Sequence, residues 1–149
     1  MEPGSRLLRS SVENSMLAVL AARAAALAMV GVAAFQLALV FGAPWGVYTQ
    51  GGGTDGALDA SGRGLAGVSC VILLVMAAAI LARVGEGPLK NAPGRLVTAL
   101  AWFTTIYAAV SVVLNVSTSS SSERAVFAPT AILLLMLVLT AMVGSRHTR

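Results

Sequence analysis

Apolar positions along the chain gather into four runs, at about 24–41, 65–82, 96–116 and 126–143, separated by polar or glycine-rich stretches. A helix crossing ~30 Å of hydrocarbon needs about 20 residues. The first run reaches that length by extending past Gly42-Ala43-Pro44-Trp45, or backward to Met16 if the Arg23 guanidinium snorkels to the interface. Backbone polar groups in lipid must be satisfied within each segment, so the pattern predicts helices and not open strands. The expected fold is all-α: a membrane-embedded four-helix bundle forming one four-span domain over residues 1–149, with spans near 20–41, 65–82, 96–116 and 126–143.

The stretches between the runs are rich in breakers. Gln50-Gly51-Gly52-Gly53-Thr54-Asp55-Gly56 lies in the first, Gly85-Glu86-Gly87-Pro88 and Pro93-Gly94 frame the second, and Ser117 to Arg124 make a short third. Short links predict that runs two and three, and runs three and four, pack as antiparallel neighbours. Gly42-Ala43-Pro44-Trp45-Gly46 closes the first run, with Trp45 and Tyr48 suited to an interfacial aromatic belt. A sharper expectation is that this loop folds back as a lid over the outer end of the bundle with Trp45 as its apolar plug. Glu123 and Arg124 would then pair with Arg63 or Asp59 across that surface. Pro129 is expected in the opening turn of the fourth helix, where proline is tolerated.

Composition agrees with a lipid environment. Hydrophobic residues make up 57% of the chain and charged residues 11%, against about 25% charged in soluble domains. A soluble chain of this length has too little interior to hide so much apolar surface. The positions of the basic residues then set an orientation. Arg6, Arg9, Arg23, Arg83, Lys90, Arg95, Arg146 and Arg149 flank one side of the spans, and only Arg63 and Arg124 flank the other. The richer side is expected to be cytoplasmic, which places both termini there. A cleaved signal peptide is the rival reading of the first run, but its apolar stretch is longer than the 7–15 residues of a signal core. The alanine-rich, arginine-over-lysine composition points to a bacterial cell membrane.

Candidate chemistry is sparse. The single Cys70 rules out an intrachain disulfide and a CxxC pair, and with His147 as the one histidine there are no ligands for a zinc cluster. No basic run with interleaved aromatics suggests nucleic acid. The expectation is therefore no cofactor, no metal and no nucleic-acid partner. Gly62-Arg63-Gly64-Leu65-Ala66-Gly67 spells the dinucleotide fingerprint, but that motif needs a preceding strand, and small residues for helix packing account for it better. Asn115-Val116-Ser117 spells a glycosylation sequon at a membrane edge, of consequence only in a glycosylating pathway.

The third run carries the most information. At 100° per residue, Ala101, Thr104, Thr105, Ala108, Ser111, Val112 and Asn115 share one face, while Trp102, Phe103, Ile106 and Val113 lie elsewhere. Such a face packs against other helices, or it lines a polar cavity with Asn115 near the outer mouth. Intramembrane carboxylates, which a proton-coupled exporter would need, are missing from the four runs, and Glu13 would serve only if the first helix began much earlier.

Two segments read together carry a resemblance. Phe35-Gln36-Leu37-Ala38-Leu39, Gly42-Ala43-Pro44-Trp45-Gly46 and Gly51-Gly52 form the first; Asn115, Ser117, Ser119, Glu123-Arg124 and Pro129 form the second. The pattern resembles a family of small bacterial four-helix membrane proteins over most of the chain. Members often carry a second aromatic and a Leu-Pro before a basic residue in the first loop, where this chain has Thr49-Gln50 and Leu58 to Arg63. The resemblance implies placement in a membrane and supplies no reaction. With no nucleophile–base pair in the sequence, the expected function is a non-enzymatic bundle that binds membrane lipids, another membrane protein or a second copy of itself. The alternative is a small transporter or channel component built on the polar face of the third helix. The candidate site residues are Thr104, Ser111, Asn115, Trp45, Glu123 and Arg124.

Overall fold

The structure is a computed structural model that describes residues 3–145, with side chains from residue 11 onward. Among the basic residues that oriented the chain, the Arg6 and Arg9 side chains, Arg146 and Arg149 lie outside the described residues, as does His147. Four helices account for most of the fold: α1 (Pro3–Val40), α2 (Ala60–Arg83), α3 (Gly94–Ser117) and α4 (Ser121–Gly144). Two 3-10 turns, Gly46–Tyr48 and Gln50–Gly52, lie in the α1–α2 loop. Each of the four helices is long and apolar enough to cross a membrane.

The helix ends follow local chemistry and not hydropathy. α1 stops where Gly42, at φ +91°, turns the chain. The Ala43 N–H then reaches back to the Ala38 carbonyl and the Gly42 N–H to Leu39, both at 3.0 Å. Gly85 stops α2 in the same way, with Glu86 N–H on Leu81 and Gly85 N–H on Ala82. These are two Schellman caps, which satisfy carbonyls that a helix end leaves open. At the other ends, the Asp59 carboxylate accepts from the Gly62 N–H at 2.7 Å and opens α2. The Ser120 hydroxyl accepts from the Glu123 N–H at 3.2 Å and opens α4.

That last cap corrects an expectation. The fourth helix begins at Ser121 and not near 126, so Pro129 lies well inside it. Proline there withholds the N–H that would have gone to the Ala125 carbonyl. The first helix also differs, continuing unbroken from Pro3, far beyond the length that ~30 Å of hydrocarbon requires. Glu13 rides on this extension as an exposed side chain.

Neighbouring helices run antiparallel and close a ring in the order α1, α2, α3, α4. The α1–α2 seam is the most extensive, α1–α4 and α3–α4 are intermediate, and α2–α3 is the narrowest. Small residues make the close seams possible: Ala21, Ala22, Ala25 and Ala33 of α1 are buried against Ala77, Ile80, Val138 and Ala141. Gly144 approaches α1 so closely that a Cβ there would stand 2.7 Å from the Asn14 carbonyl. Large apolar side chains such as Leu27, Phe41, Val113 and Leu114 instead point outward, more than 60% exposed. In water so many exposed apolar groups would be costly, whereas lipid accepts them.

One ion pair ties the ring near the chain termini. Arg23 of α1 donates through Nη2 at 2.7 Å and Nε at 3.0 Å to the Glu86 carboxylate, which follows the α2 cap. The hydrogen bonds from Arg23 hold the Glu86 carboxyl below its usual range.

Candidate functional site

The face expected on α3 does point inward. Ala101, Thr104, Thr105 and Ala108 are buried, while Trp102, Phe103, Ile106 and Val113 are exposed. Along its length, however, the face changes character. Thr104 and Thr105 lie in dry packing and donate their hydroxyls to the Leu100 and Ala101 carbonyls one turn back, each at 2.9 Å. Such back-bonding uses the hydroxyl's one donor inside its own helix.

Two turns nearer the loop end, packing gives way to space. Ser111 and Asn115 line a partly open cavity of about 250 Å³, together with Gln36, Ser69, Tyr107, the loop residue Thr49 and apolar side chains such as Val110 and Leu114. A smaller pocket of about 60 Å³ reaches from there toward Met29 and Met76. Asn115 Nδ2 donates to the Ser111 carbonyl at 2.8 Å and to its hydroxyl at 3.1 Å. That inward engagement leaves the Asn115 amide poorly placed for glycosylation. Gln36, Ser69 and the Tyr107 hydroxyl, by contrast, make no side-chain hydrogen bond among the described residues. Polar groups in an apolar setting need partners, so the cavity presents unspent donors and acceptors. It is roomy and polar enough to hold water.

Beside the cavity, between α1 and α4, runs an apolar groove of about 440 Å³. Gly31, Phe35, Trp45, Tyr48, Val126 and Thr130 form its sides, and Val32 and Phe127 belong to both spaces as a shared wall. Phe35 organises the aromatics: its ring lies 5.8 Å from Trp45, nearly parallel, and 5.2 Å from Phe127. These offset and tilted contacts are favourable for rings. Trp45 therefore does not plug the end of the bundle. It lies on the side, because its loop folds along α1 toward Phe35, and the buried Thr49 closes the top of the cavity instead.

The loop itself is clipped down. Glu123 accepts the Gly51 N–H and the Thr118 hydroxyl, both at 3.0 Å, and the Ser120 hydroxyl donates to the Val47 carbonyl at 3.1 Å. The expected pairing of Glu123 and Arg124 with Arg63 or Asp59 does not form. Arg124 donates to the Thr118 carbonyl, Arg63 to the Leu58 carbonyl, and Asp59 is spent on its cap. Backbone partners within reach have taken each charge locally. Of the fingerprint-like glycines, Gly62 and Gly67 lie against neighbouring side chains, while Gly64 faces open space. No strand precedes them among the described residues; a Cβ at Gly62 would press on Leu58 at 3.1 Å, and one at Gly67 would rest 3.7 Å from Val40.

Of the α3 residues singled out from the sequence, Ser111 and Asn115 line this cavity and Thr104 lies below its floor; Gln36, Ser69, Tyr107 and Thr49, which also line it, were not singled out. Gln36 carried a usable signal, being an amide in the middle of an apolar run. Set against protein-family models, curated proteins and solved structures, the chain matches none of them.

Proposed function

We propose that this chain is a multi-pass protein of the cell membrane, crossing it four times with both ends in the cytoplasm, and that its loop-end half holds a membrane lipid without transforming it. The orientation rests on the eight basic residues at the terminal side against two at the loop side. Lipid binding rests on one observation above others: a cavity with unpaired neutral polar groups stands wall to wall with an aromatic groove on the outer surface of the helices. The polar lining side chains are amides, hydroxyls and a phenol, with no carboxylate, imidazole or amine among them. That composition suits holding a molecule and not reacting with it.

A transporter or channel component is the second reading, favoured because Ser111 and Asn115 do line a cavity. Below them the bundle is closed by the fully buried Met29, Met76, Ile80, Thr104 and Val138, which leaves no polar route to the terminal end in this conformation.

The test is to extract the full chain from its own membranes in mild detergent and identify the co-purifying lipids by mass spectrometry. The wild type should retain lipid; a Gln36→Leu/Ser69→Leu double variant should lose it; Thr104→Val, outside the cavity, should keep it. A lipid-free wild type, or a double variant that retains as much as the wild type, refutes the reading.

A further inference from the structure

The cavity and the groove differ in chemistry but share Val32 and Phe127 as a common wall. A molecule occupying both must be polar at one end and hydrocarbon at the other. The polar end meets Gln36, Ser69, Tyr107, Ser111 and Asn115 and no charged side chain. Arg63, Asp59 and Glu123 at the loop end hold Leu58, Gly62 and Gly51, and none of them lines the cavity. Burying a phosphate or carboxylate against neutral groups inside a membrane is expensive, whereas hydroxyls, which donate and accept, match what these amides and hydroxyls offer. On the groove side, a Cβ built on Gly31 would meet nothing within 4 Å. The glycine is a notch in α1 that deepens the groove beneath Trp45 and Phe35.

We infer that the ligand is a membrane lipid with an uncharged, hydroxyl-bearing head, its head in the cavity of Gln36, Ser69 and Asn115 and its chain in the Gly31 groove, passing between Val32 and Phe127. This rests on the lipid-binding reading and adds to it the charge of the head and the path of the chain. Gly31 tests the path because a side chain added there can occupy groove space without disturbing a helix contact. Replacing it with leucine also removes a helix-interior glycine, which favours the fold.

The experiment uses the purified full chain in detergent and native mass spectrometry, titrating 1-monooleoylglycerol and, separately, dioleoyl phosphatidylglycerol. The neutral lipid should bind saturably and at least about tenfold more tightly than the anionic one. Gly31→Leu should weaken it about tenfold, the equivalent of about two methylenes displaced from the groove, and Gly31→Ala by less. As a readout that leaves the groove intact, Trp102→Phe makes Trp45 the remaining tryptophan. Monoacylglycerol brominated at mid-chain should then quench its fluorescence saturably. Equal or tighter binding of the anionic lipid, an undiminished affinity in Gly31→Leu, or absence of saturable quenching overturns the inference while leaving a lipid-binding bundle standing. If neither lipid binds, the lipid-binding reading falls with it.

Discussion

Three consecutive glycines, Gly51, Gly52 and Gly53, are interchangeable in the sequence and distinct in the structure. Alanine at each should therefore have a different effect. Gly53 sits at φ −76°, ψ 0°, which any residue adopts, and a Cβ there meets nothing within 4 Å. Gly53→Ala should leave stability unchanged or raise it by ~0.4–1 kcal/mol, through fewer conformations in the unfolded chain. Gly51 is equally open but lies at φ +84°. Gly51→Ala should cost ~1–2 kcal/mol, the penalty for an L side chain in left-handed backbone. Gly52, at φ +69°, adds a collision: its Cβ would overlap the Ser120 hydroxyl and lie 2.6 Å from Ser120 Cβ and 2.9 Å from the Val47 carbonyl. Ser120 cannot turn aside without leaving its cap on Glu123 and its bond to Val47. The cheaper response is for the loop to lift, losing the Ser120–Val47 and Gly51–Glu123 bonds. With one bond neutral and one charge-assisted, Gly52→Ala should cost ~2–4 kcal/mol.

Thermal unfolding of detergent-solubilised protein followed by circular dichroism would give the order Gly53→Ala, Gly51→Ala, Gly52→Ala from most to least stable. Proteolysis within the loop should be faster only in Gly52→Ala. Adding Ser120→Gly removes the obstructing side chain, so it should cost less in the Gly52→Ala background than in the wild type, a coupling that a double-mutant cycle measures. If Gly52→Ala is as stable and as protease-resistant as Gly53→Ala, the loop is not clipped to the α3–α4 turn as described.

The remaining predictions concern the terminal end and the placement of the loops. Because Arg23 lowers the Glu86 carboxyl, its contribution is full above the ordinary glutamate value of 4.5 and is lost as pH falls through the lowered folded value. The wild type should therefore lose its melting-temperature advantage over Glu86→Gln on acidification through and below that value; an advantage constant with pH would remove the ion pair from the account. For topology, the single native Cys70 is buried and gives a low labelling background. Cysteines introduced at Gly53 and Lys90 should label from opposite sides of sealed membranes with an impermeant maleimide, and labelling from one side would overturn the four-span arrangement.

How much of this was readable in the residues depends on the physical cause of each feature. Four helices were legible because apolar composition and a lipid setting leave few alternatives. Their ends were not, because hydropathy reports solvent while caps decide where a helix begins. The Asp59 and Ser120 caps start α2 and α4 about five residues before the apolar runs do. Serine followed three residues later by glutamate was a signal available in the sequence. The inward face of α3 was legible from the contrast of Thr104, Ser111 and Asn115 with Trp102, Phe103 and Ile106. The cavity was not, since Gln36, Ser69 and Tyr107 come from three helices whose mutual register no local pattern encodes. The position of Trp45 depended on the path of its loop, and so on Schellman geometry at Gly42 and on the ring of Phe35.

The unequal seams of the ring imply an order of assembly. The first hairpin, α1 with α2, owns the broadest contact and can close as soon as both helices have left the ribosome. At that stage Gln36 and Ser69 have nothing opposite them. α3 brings Tyr107, Ser111 and Asn115, yet it meets α2 along the narrowest seam and is held chiefly by α4. Of the four helices, α4 therefore completes the cavity. A mutation in α4 that slows its docking would leave a half-built bundle with the cavity's polar groups uncovered.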